Sequence, residues 1–179
     1  SKLPKHHMEV VDKALAASRE KRFFHWELEF PEVFYGPKPG TGTVIERLEG
    51  AGFDAVIGNP PYVRVQELRQ HDPGAVDYLG ARYQSAVSNF DIYLPFYEKG
   101  LEICRGNVSY IAPNKWFATD YGRGLRKLLA EKRALYRVID FKDFQLFEGA
   151  TNYTCILFLN RKQNETIAYV DASRGVIEG

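Results

Sequence analysis

Four consecutive residues, Asn59, Pro60, Pro61 and Tyr62, combine hydrogen-bond acceptors with an aromatic ring. Proline has no N–H group, so consecutive prolines stiffen the chain and leave backbone carbonyls without a local donor. The Asn59 side chain adds an amide oxygen as a further acceptor. Two rigid acceptors beside a ring suit a planar group that carries an NH2 substituent. The motif therefore predicts a pocket that holds such a group.

An amine attached to an aromatic ring is a weak nucleophile, because its lone pair is delocalised into the ring. Two acceptors can draw the amino hydrogens out of the ring plane and localise charge on nitrogen while an electrophile approaches. This is preorganised electrostatic stabilisation, and it needs no strong base. A base inside a duplex reaches such a pocket only when it is flipped out, and Tyr62 offers it a stacking surface. The competing interpretation of the four residues is a rigid turn without chemistry.

The position of the motif favours the chemical interpretation. Residues 53–58, Phe-Asp-Ala-Val-Ile-Gly, form an apolar run typical of a buried strand in a parallel sheet. Ligands of open α/β sheets bind at the carboxyl ends of the strands, which is where Asn59 follows. The sequence therefore predicts that a strand presents the motif at a ligand-binding edge.

The rest of the chain predicts alternating helices and strands, which indicates an α/β sheet. Residues 63–88 lack clear periodicity and are expected to form an irregular insertion with a turn at 71–74. The last two strands flank a loop over residues 143–152 and are expected to add an antiparallel strand at the end of the sheet. The predicted helices are 9–22, 91–104 and 122–134, the strands are 23–30, 53–58, 108–112, 135–141 and 153–159, and residues 35–43 form a loop.

Composition sets limits on the function without selecting one. The 179 residues carry a formal net charge of +1, so charge neither indicates nor excludes nucleic acid. Cys104 and Cys155 have no other ligand at metal-binding spacing and are expected to be reduced core residues of a cytoplasmic protein, with no metal site. No segment is long and apolar enough to cross a membrane, and no signal-peptide pattern is present.

Residues 53–62 resemble the catalytic motif of amino-methyltransferases, and their surroundings resemble the gamma class of N6-adenine DNA methyltransferases. The likeness is strongest to the TaqI-like methylase domains of restriction–modification and phage-defence enzymes. It implies a Rossmann-like class I methyltransferase fold, S-adenosyl-L-methionine as cofactor, and double-stranded DNA with a flipped adenine as partner. The further segments that carry the resemblance are 24–34, 91–98, 108–116 and 147–151.

The resemblance also implies roles for individual residues. Asn59 and the Pro60 carbonyl, within the rigid Asn59-Pro60-Pro61-Tyr62 motif, would hold the adenine amino group. Tyr62 would stack on the base, and Phe147 would contact it from another side.

Two more residues are candidates for contacts with the cofactor or with DNA. Phe96 matches a position of the family that packs against the adenine of the cofactor. The resemblance also places the cofactor beside Asn59. Lys115 follows the strand 108–112 and could contact a phosphate, although an exposed lysine is more often only solvated.

The family carries a glycine-containing cofactor loop after its first strand. The glycine-rich stretch 36–42 does not match that loop, because it follows a proline-broken segment and no helix is predicted after it. We therefore expect residues 1–179 to be part of a catalytic domain, with the cofactor bound mainly by a region missing from this chain. Residues 1–35 would precede the catalytic strand, 53–159 would form the catalytic half, and 160–179 would begin a linker to a target-recognition domain. We expect such a fragment to be inactive alone, and its exposed sheet edge to favour self-association.

Two alternatives remain open from the sequence. Asn-Pro-Pro-Tyr also occurs in enzymes that methylate glutamine side chains of proteins or amino groups of RNA, because the pocket chemistry is the same. A module that has lost its chemistry and only binds or scaffolds is the second alternative.

Overall fold

A computed structural model of the protein describes residues 4–22, 24–147 and 153–175. The chain divides into two compact units, residues 1–48 and residues 49–179. Among the described residues, no helix has the length and apolar character needed to span a membrane.

The first unit begins with a long helix and ends in a small hairpin. The helix predicted over residues 9–22 is confirmed, and it starts four residues earlier than expected. The loop predicted over residues 35–43 contains the first hairpin strand and the turn that follows it. The elements of this unit are α1 (Lys5–Lys21), α2 (Trp26–Glu29), α3 (Pro31–Phe34), β1 (Tyr35–Pro37) and β2 (Ile45–Arg47).

The strand predicted over residues 23–30 is wrong from Phe24 onward, and Phe23 lies outside the described residues. The Phe30 N–H donates to the Trp26 carbonyl at 3.0 Å, as in a helical turn. The rings of Trp26 and Phe30 stack with centroids 6.2 Å apart and an interplanar angle of 21°. The alternating pattern misled because aromatic residues four apart also meet on one face of a helix.

The second unit is built on a five-stranded mixed sheet with the strand order β3-β4-β6-β5-β7. Four of these strands run in one direction, because β3 is parallel to β4, β5 is parallel to β7, and both β4 and β5 are antiparallel to β6. The strands are β3 (Phe53–Gly58), β4 (Cys104–Pro113), β5 (Leu135–Asp140), β6 (Thr154–Leu159) and β7 (Ala168–Asp171).

The α/β prediction is confirmed, but the antiparallel strand does not lie at the end of the sheet. Strand β6 is inserted between β4 and β5, and β7 forms the outer edge on that side. The sequence did not reveal β7 because it is four residues long and mostly exposed, which leaves no apolar signal. Four residues of the segment 160–179 therefore belong to the sheet.

Two helices cover one face of this sheet and form the main core. They are α6 (Tyr93–Ile103) and α7 (Arg123–Lys132), which confirms the helices predicted over 91–104 and 122–134. The core includes fully buried Leu94 and Tyr97 of α6 together with Leu125 of α7. Cys104 and Cys155 are free thiols buried in the same cluster, as expected from the sequence.

The prediction of an irregular segment over residues 63–88 is wrong for its central part. Two helices, α4 (Val65–His71) and α5 (Pro73–Arg82), occupy it and meet at Asp72, within the predicted turn. The Asp72 carboxylate accepts a hydrogen bond from the Ala75 N–H at 3.1 Å and caps α5. Each helix has a single buried residue, Val65 in α4 and Val76 in α5, so neither shows a clear apolar periodicity in the sequence.

Candidate active site

The predicted motif loops meet at one edge of the sheet. Because β3, β4, β5 and β7 run in the same direction, their carboxyl ends share this edge, and the reversed strand β6 begins there. The loops after β3, β4 and β5 therefore carry Asn59, Lys115 and Phe147 to the same side of the molecule. This is the edge at which open α/β sheets bind ligands.

The Asn-Pro-Pro-Tyr loop leaves β3 with alternating exposure. Asn59 and Pro61 are exposed, Pro60 is buried and Tyr62 is half-buried. Within the described residues, the Asn59 side chain has no hydrogen-bond partner, so its amide is available to a ligand. Gly58 allows the end of the strand to pack closely, because a β-carbon there would lie 3.1 Å from the Tyr110 ring.

Tyr62 is held from two sides. Its hydroxyl donates to the Ile111 carbonyl of β4 at 3.4 Å, and its ring meets the Tyr93 ring edge-on, with centroids 6.4 Å apart. Burial raises the pKa of Tyr62, so its hydroxyl stays protonated at neutral pH. The ring is thus a fixed wall rather than a free surface side chain.

Backbone hydrogen bonds join the end of this loop to the start of α6. The Ile92 N–H donates to the Val63 carbonyl at 2.9 Å, and the Val65 N–H donates to the Phe90 carbonyl at 3.0 Å. Phe96 lies in the first turn of α6 and is 41% exposed, so it does not belong to the core. The exposed Phe96 ring thus lies near the start of α6, the part of the helix that follows the segment bonded to the Asn59 loop.

A cavity of about 460 Å³ opens beside Tyr62. It is strongly polar and contains two basic side chains, two amides and one carboxylic acid. Burial raises the pKa of the Asp91 carboxyl, while Arg64, a hydrogen bond from Tyr121 and Lys115 act in the opposite direction. The lining residues are Tyr62, Arg64, Gln66, Asn89, Asp91, Pro113, Lys115 and Tyr121.

Asp140, the last residue of β5, connects the loops after β4 and β5. It is 7% exposed, and its carboxylate accepts hydrogen bonds from the Asn114 side chain at 2.9 Å, the Lys142 N–H at 3.0 Å and the Tyr169 hydroxyl at 2.9 Å. The Asn114 N–H also donates to the Tyr153 carbonyl, just before β6. We did not identify Asp140 from the sequence, where its only signal is an acidic residue that ends an otherwise apolar strand.

Phe147 lies in the loop after β5 and is 43% exposed. Strand β5 is three places from β3, which corresponds to about 14 Å at the usual strand spacing. The connection over residues 141–153 must therefore reach across β6 and β4 if Phe147 is to meet a ligand held by Asn59. Residues 148–152, which include the Glu148-Gly149-Ala150-Thr151 part of the predicted motif, lie outside the described residues.

The other residues of the loop after β4 divide between core and cavity. Trp116 is 3% exposed and packs in the core against Phe117, whereas Lys115 is exposed in the cavity. In the described part of the chain, no group of three or more His, Cys, Asp or Glu side chains is arranged to hold a metal ion.

Solved structures with the same arrangement define the class of fold. The methyltransferase subunit of a type I restriction–modification system from Streptococcus thermophilus matches with a TM-score of 0.54 and 20% identity, over 72% of this chain and 28% of that one. A protein described as a class I S-adenosylmethionine-dependent methyltransferase, from Listeria monocytogenes, matches with a TM-score of 0.51 and 15% identity, over 70% of this chain and 38% of that one. The chain therefore has part of a class I methyltransferase fold.

Sequence comparison identifies the family within this class. Residues 2–147 match the Eco57I restriction-modification methylase family, and the chain belongs to it. It is 36% identical over 121 residues to the type II restriction enzyme and methyltransferase RM.Eco57I of Escherichia coli, covering 66% of this chain and 12% of that protein. It is also 36% identical over 118 residues to the type II methyltransferase M.PaeR7I of Pseudomonas aeruginosa, covering 64% of this chain and 20% of that one. The chain thus spans a fifth or less of the length of these two relatives.

Proposed function

We propose that the protein containing this chain transfers a methyl group from S-adenosyl-L-methionine to the N6 amino group of adenine in double-stranded DNA, within a restriction–modification system. The observation that carries the proposal is the exposed Asn59 amide beside the rigid Pro60-Pro61 pair, at the carboxyl end of β3 and next to the anchored Tyr62 ring. Membership of the restriction–modification methylase family supports DNA as the substrate.

In this mechanism the chain acts through hydrogen-bond acceptors. The Asn59 side-chain oxygen and the Pro60 carbonyl accept the two N6 hydrogens of a flipped adenine and localise electron density on the nitrogen. When bound, S-adenosyl-L-methionine would supply an electrophilic methyl group, and as its sulfur–methyl bond breaks it would leave as S-adenosyl-L-homocysteine. Positive charge develops on N6 as the new N–C bond forms. The two acceptors stabilise this charge until one amino proton leaves to solvent.

Three aromatic residues position the planar rings. Tyr62 stacks on the flipped base and Phe147 contacts it from another side. Phe96, exposed in the first turn of α6, packs against the adenine of the cofactor, near Asn59. The exposed Phe96 ring thus contacts the cofactor, while Tyr62 and Phe147 contact the substrate base.

Asn59→Ala is the decisive substitution. We expect it to lower the methylation rate by roughly 100- to 1,000-fold, the usual cost of removing one preorganised electrostatic contact. The protein would be expressed from its complete coding sequence, and N6-methyladenine in plasmid DNA would be measured by mass spectrometry. Asn107→Ala is the matched control. Asn107 is an exposed asparagine towards the amino end of β4, whereas Asn59 lies at the carboxyl edge of the sheet, so this substitution should leave the methylation rate unchanged.

Two outcomes would contradict the proposed substrate or the proposed catalytic loop. Absence of N6-methyladenine from the unmutated protein would favour an amide or amino group of a protein or RNA as the substrate of the same pocket. Methylation that persists in Asn59→Ala would show that the Asn-Pro-Pro-Tyr loop is not the catalytic element.

We further infer that the 179-residue chain alone does not methylate DNA and that its cofactor is bound mainly by residues outside it. The basis is the glycine-rich stretch 36–42, which is followed by strand β2 and not by a helix, unlike the cofactor loop of the family. Strand β3 is an outer strand of the described sheet, and Ile57 on it is 81% exposed. Such an edge favours self-association of the isolated chain. A methylation assay and light scattering on that chain test the two statements separately.

A further inference from the structure

The cavity beside Tyr62 contains more positive charge than an adenine ring requires. Its volume of about 460 Å³ lies within the range of small-molecule sites, roughly 300–1,000 Å³. Arg64 and Lys115 line it, and Asp91 is its one acidic lining residue. A neutral base gains little from two cations, so the cavity fits a ligand that brings negative charge with it.

The two cations are available to such a ligand. Among the described residues, neither Arg64 nor Lys115 has a carboxylate oxygen within ion-pair distance. Some other exposed cations of the same unit are paired, such as Arg82 with Glu102 at 2.8 Å and Arg105 with Asp54 at 2.9 Å. Asp91 interacts electrostatically with both cations, so two positive side chains face one carboxyl in the cavity and an excess of positive charge remains for a ligand.

Both cations also extend from anchored backbone. Arg64 forms an antiparallel bridge with Asp91, so its position relative to α6 is set. Lys115 directly follows Asn114, which is held by the Asp140 carboxylate at 2.9 Å. Cations on fixed backbone lose less conformational freedom on binding than cations on a free loop, which favours a built site over two solvated side chains.

We propose that Arg64 and Lys115 form a subsite for a DNA backbone phosphate adjacent to the flipped nucleotide. This inference rests on the proposed function and extends it to the sugar–phosphate backbone. A flipped adenine enters with its phosphates attached, whereas a glutamine side chain would bring no anion to this cavity. Arginine can bind a phosphate through two parallel hydrogen bonds, and lysine contributes a point charge. Gln66 and Asn89 add polar groups for sugar or phosphate oxygens.

The salt dependence of DNA binding tests the subsite. Affinity for duplex DNA would be measured by fluorescence anisotropy for the complete protein and for Arg64→Ala, Lys115→Ala and the double variant. Each lost phosphate contact lowers the slope of log affinity against log salt by about 0.9. The ratio of affinities at about 50 mM and about 200 mM salt should therefore fall roughly 3.5-fold for each single variant and about 12-fold for the double variant.

Lys132→Ala is the matched control, because it also removes one exposed positive charge. Lys132 is the last residue of α7 and lies close to the amino end of β5. Its slope should equal that of the unmutated protein. A neutral methylphosphonate linkage beside the mapped target adenine provides a second, independent test. It should weaken binding by the unmutated protein and cause no further loss in the double variant, because the two changes remove the same contact.

Methylation with an unchanged salt slope in the double variant would overturn the subsite and leave the proposed function standing. Equal slope changes in Lys132→Ala and Lys115→Ala would also overturn it, because the effect would then be one of general charge. If the unmutated protein forms no N6-methyladenine, the proposed function fails and the subsite fails with it.

Discussion

Replacing Asp140 by alanine should destabilise the protein and disturb two site loops together. The substitution removes the acceptor of three hydrogen bonds, from Asn114, Lys142 and Tyr169. Hydrogen bonds to a charged partner contribute roughly 1.5–3 kcal/mol each when the partner cannot be replaced by water. Lys142 and Tyr169 are exposed and can turn to water, whereas Asn114 is only partly accessible. We therefore expect a loss of about 2–4 kcal/mol in the free energy of unfolding, well below the sum of three full contributions.

Asp140→Asn should lower the free energy of unfolding by only about 1 kcal/mol, because the remaining side-chain oxygen can still accept hydrogen bonds from Asn114 and Lys142. The amide NH2 group introduced by this substitution would then face the Tyr169 hydroxyl, whose oxygen can accept a hydrogen bond. The same variant should largely restore DNA affinity and its salt slope, both of which Asp140→Ala should lower because Asn114 carries the Lys115 loop. Partial rescue by the isosteric residue separates positioning of the loops from general loss of stability.

Urea denaturation followed by tryptophan fluorescence measures the effect, since Trp116 is buried next to this loop. Asp143→Ala is the control, because Asp143 is an exposed carboxylate in the loop that follows β5. A loss in Asp140→Ala of less than about 1 kcal/mol, the range of ordinary surface substitutions, would refute the reasoning. Equal destabilisation by Asp143→Ala would refute it as well.

Two further predictions concern the Tyr62 ring and the buried thiols. Tyr62→Leu should weaken binding of the flipped base by about 1–3 kcal/mol, the usual contribution of one aromatic stack. Tyr62→Phe should change the binding free energy by no more than about 1 kcal/mol, because it loses only the 3.4 Å hydrogen bond to the Ile111 carbonyl. Fluorescence of 2-aminopurine at the target position measures this, and equal losses in both variants would contradict a stacking role. Burial raises the pKa of Cys155 to about 12 and also raises that of Cys104, so neither thiol should react with Ellman's reagent at pH 8 before the protein unfolds. Rapid modification of the folded protein would show that the core is open to solvent.

Strong local signals made part of the fold predictable. The strand over residues 53–58 was predicted with its observed bounds, because an apolar run ends abruptly at a motif that cannot continue a strand. The burial expected for this strand is wrong, because β3 is an outer strand of the described sheet and none of its residues is buried. Helices α6 and α7 were predictable because each buries several apolar residues at helical spacing. The placement of Asn59 directly after the carboxyl end of β3 followed from these elements alone.

Features that depend on distant pairings were not predictable. Asp140 meets its partners 26 and 29 residues away in the chain, and no local pattern marks either contact. The cavity likewise combines residues from the loop after β3, the start of α6 and the loop after β4. The insertion of β6 between β4 and β5 depends on strand pairing, whereas sequence order only shows that β5 and β6 are consecutive.

In the proposed site, Tyr62 is fixed by contacts within the fold, whereas Phe147 belongs to the loop after a distant strand. Tyr62 is held by Ile111 and Tyr93 within the sheet and α6, so its ring is in place before any ligand arrives. Phe147 follows β5, which lies three strands from β3, or about 14 Å at the usual strand spacing. A base that swings out of a duplex needs an open path to its pocket, which two fixed walls would close. We therefore expect the base to meet Tyr62 and Asn59 first and Phe147 second, so that Phe147→Ala should speed release of the flipped base more than it slows capture.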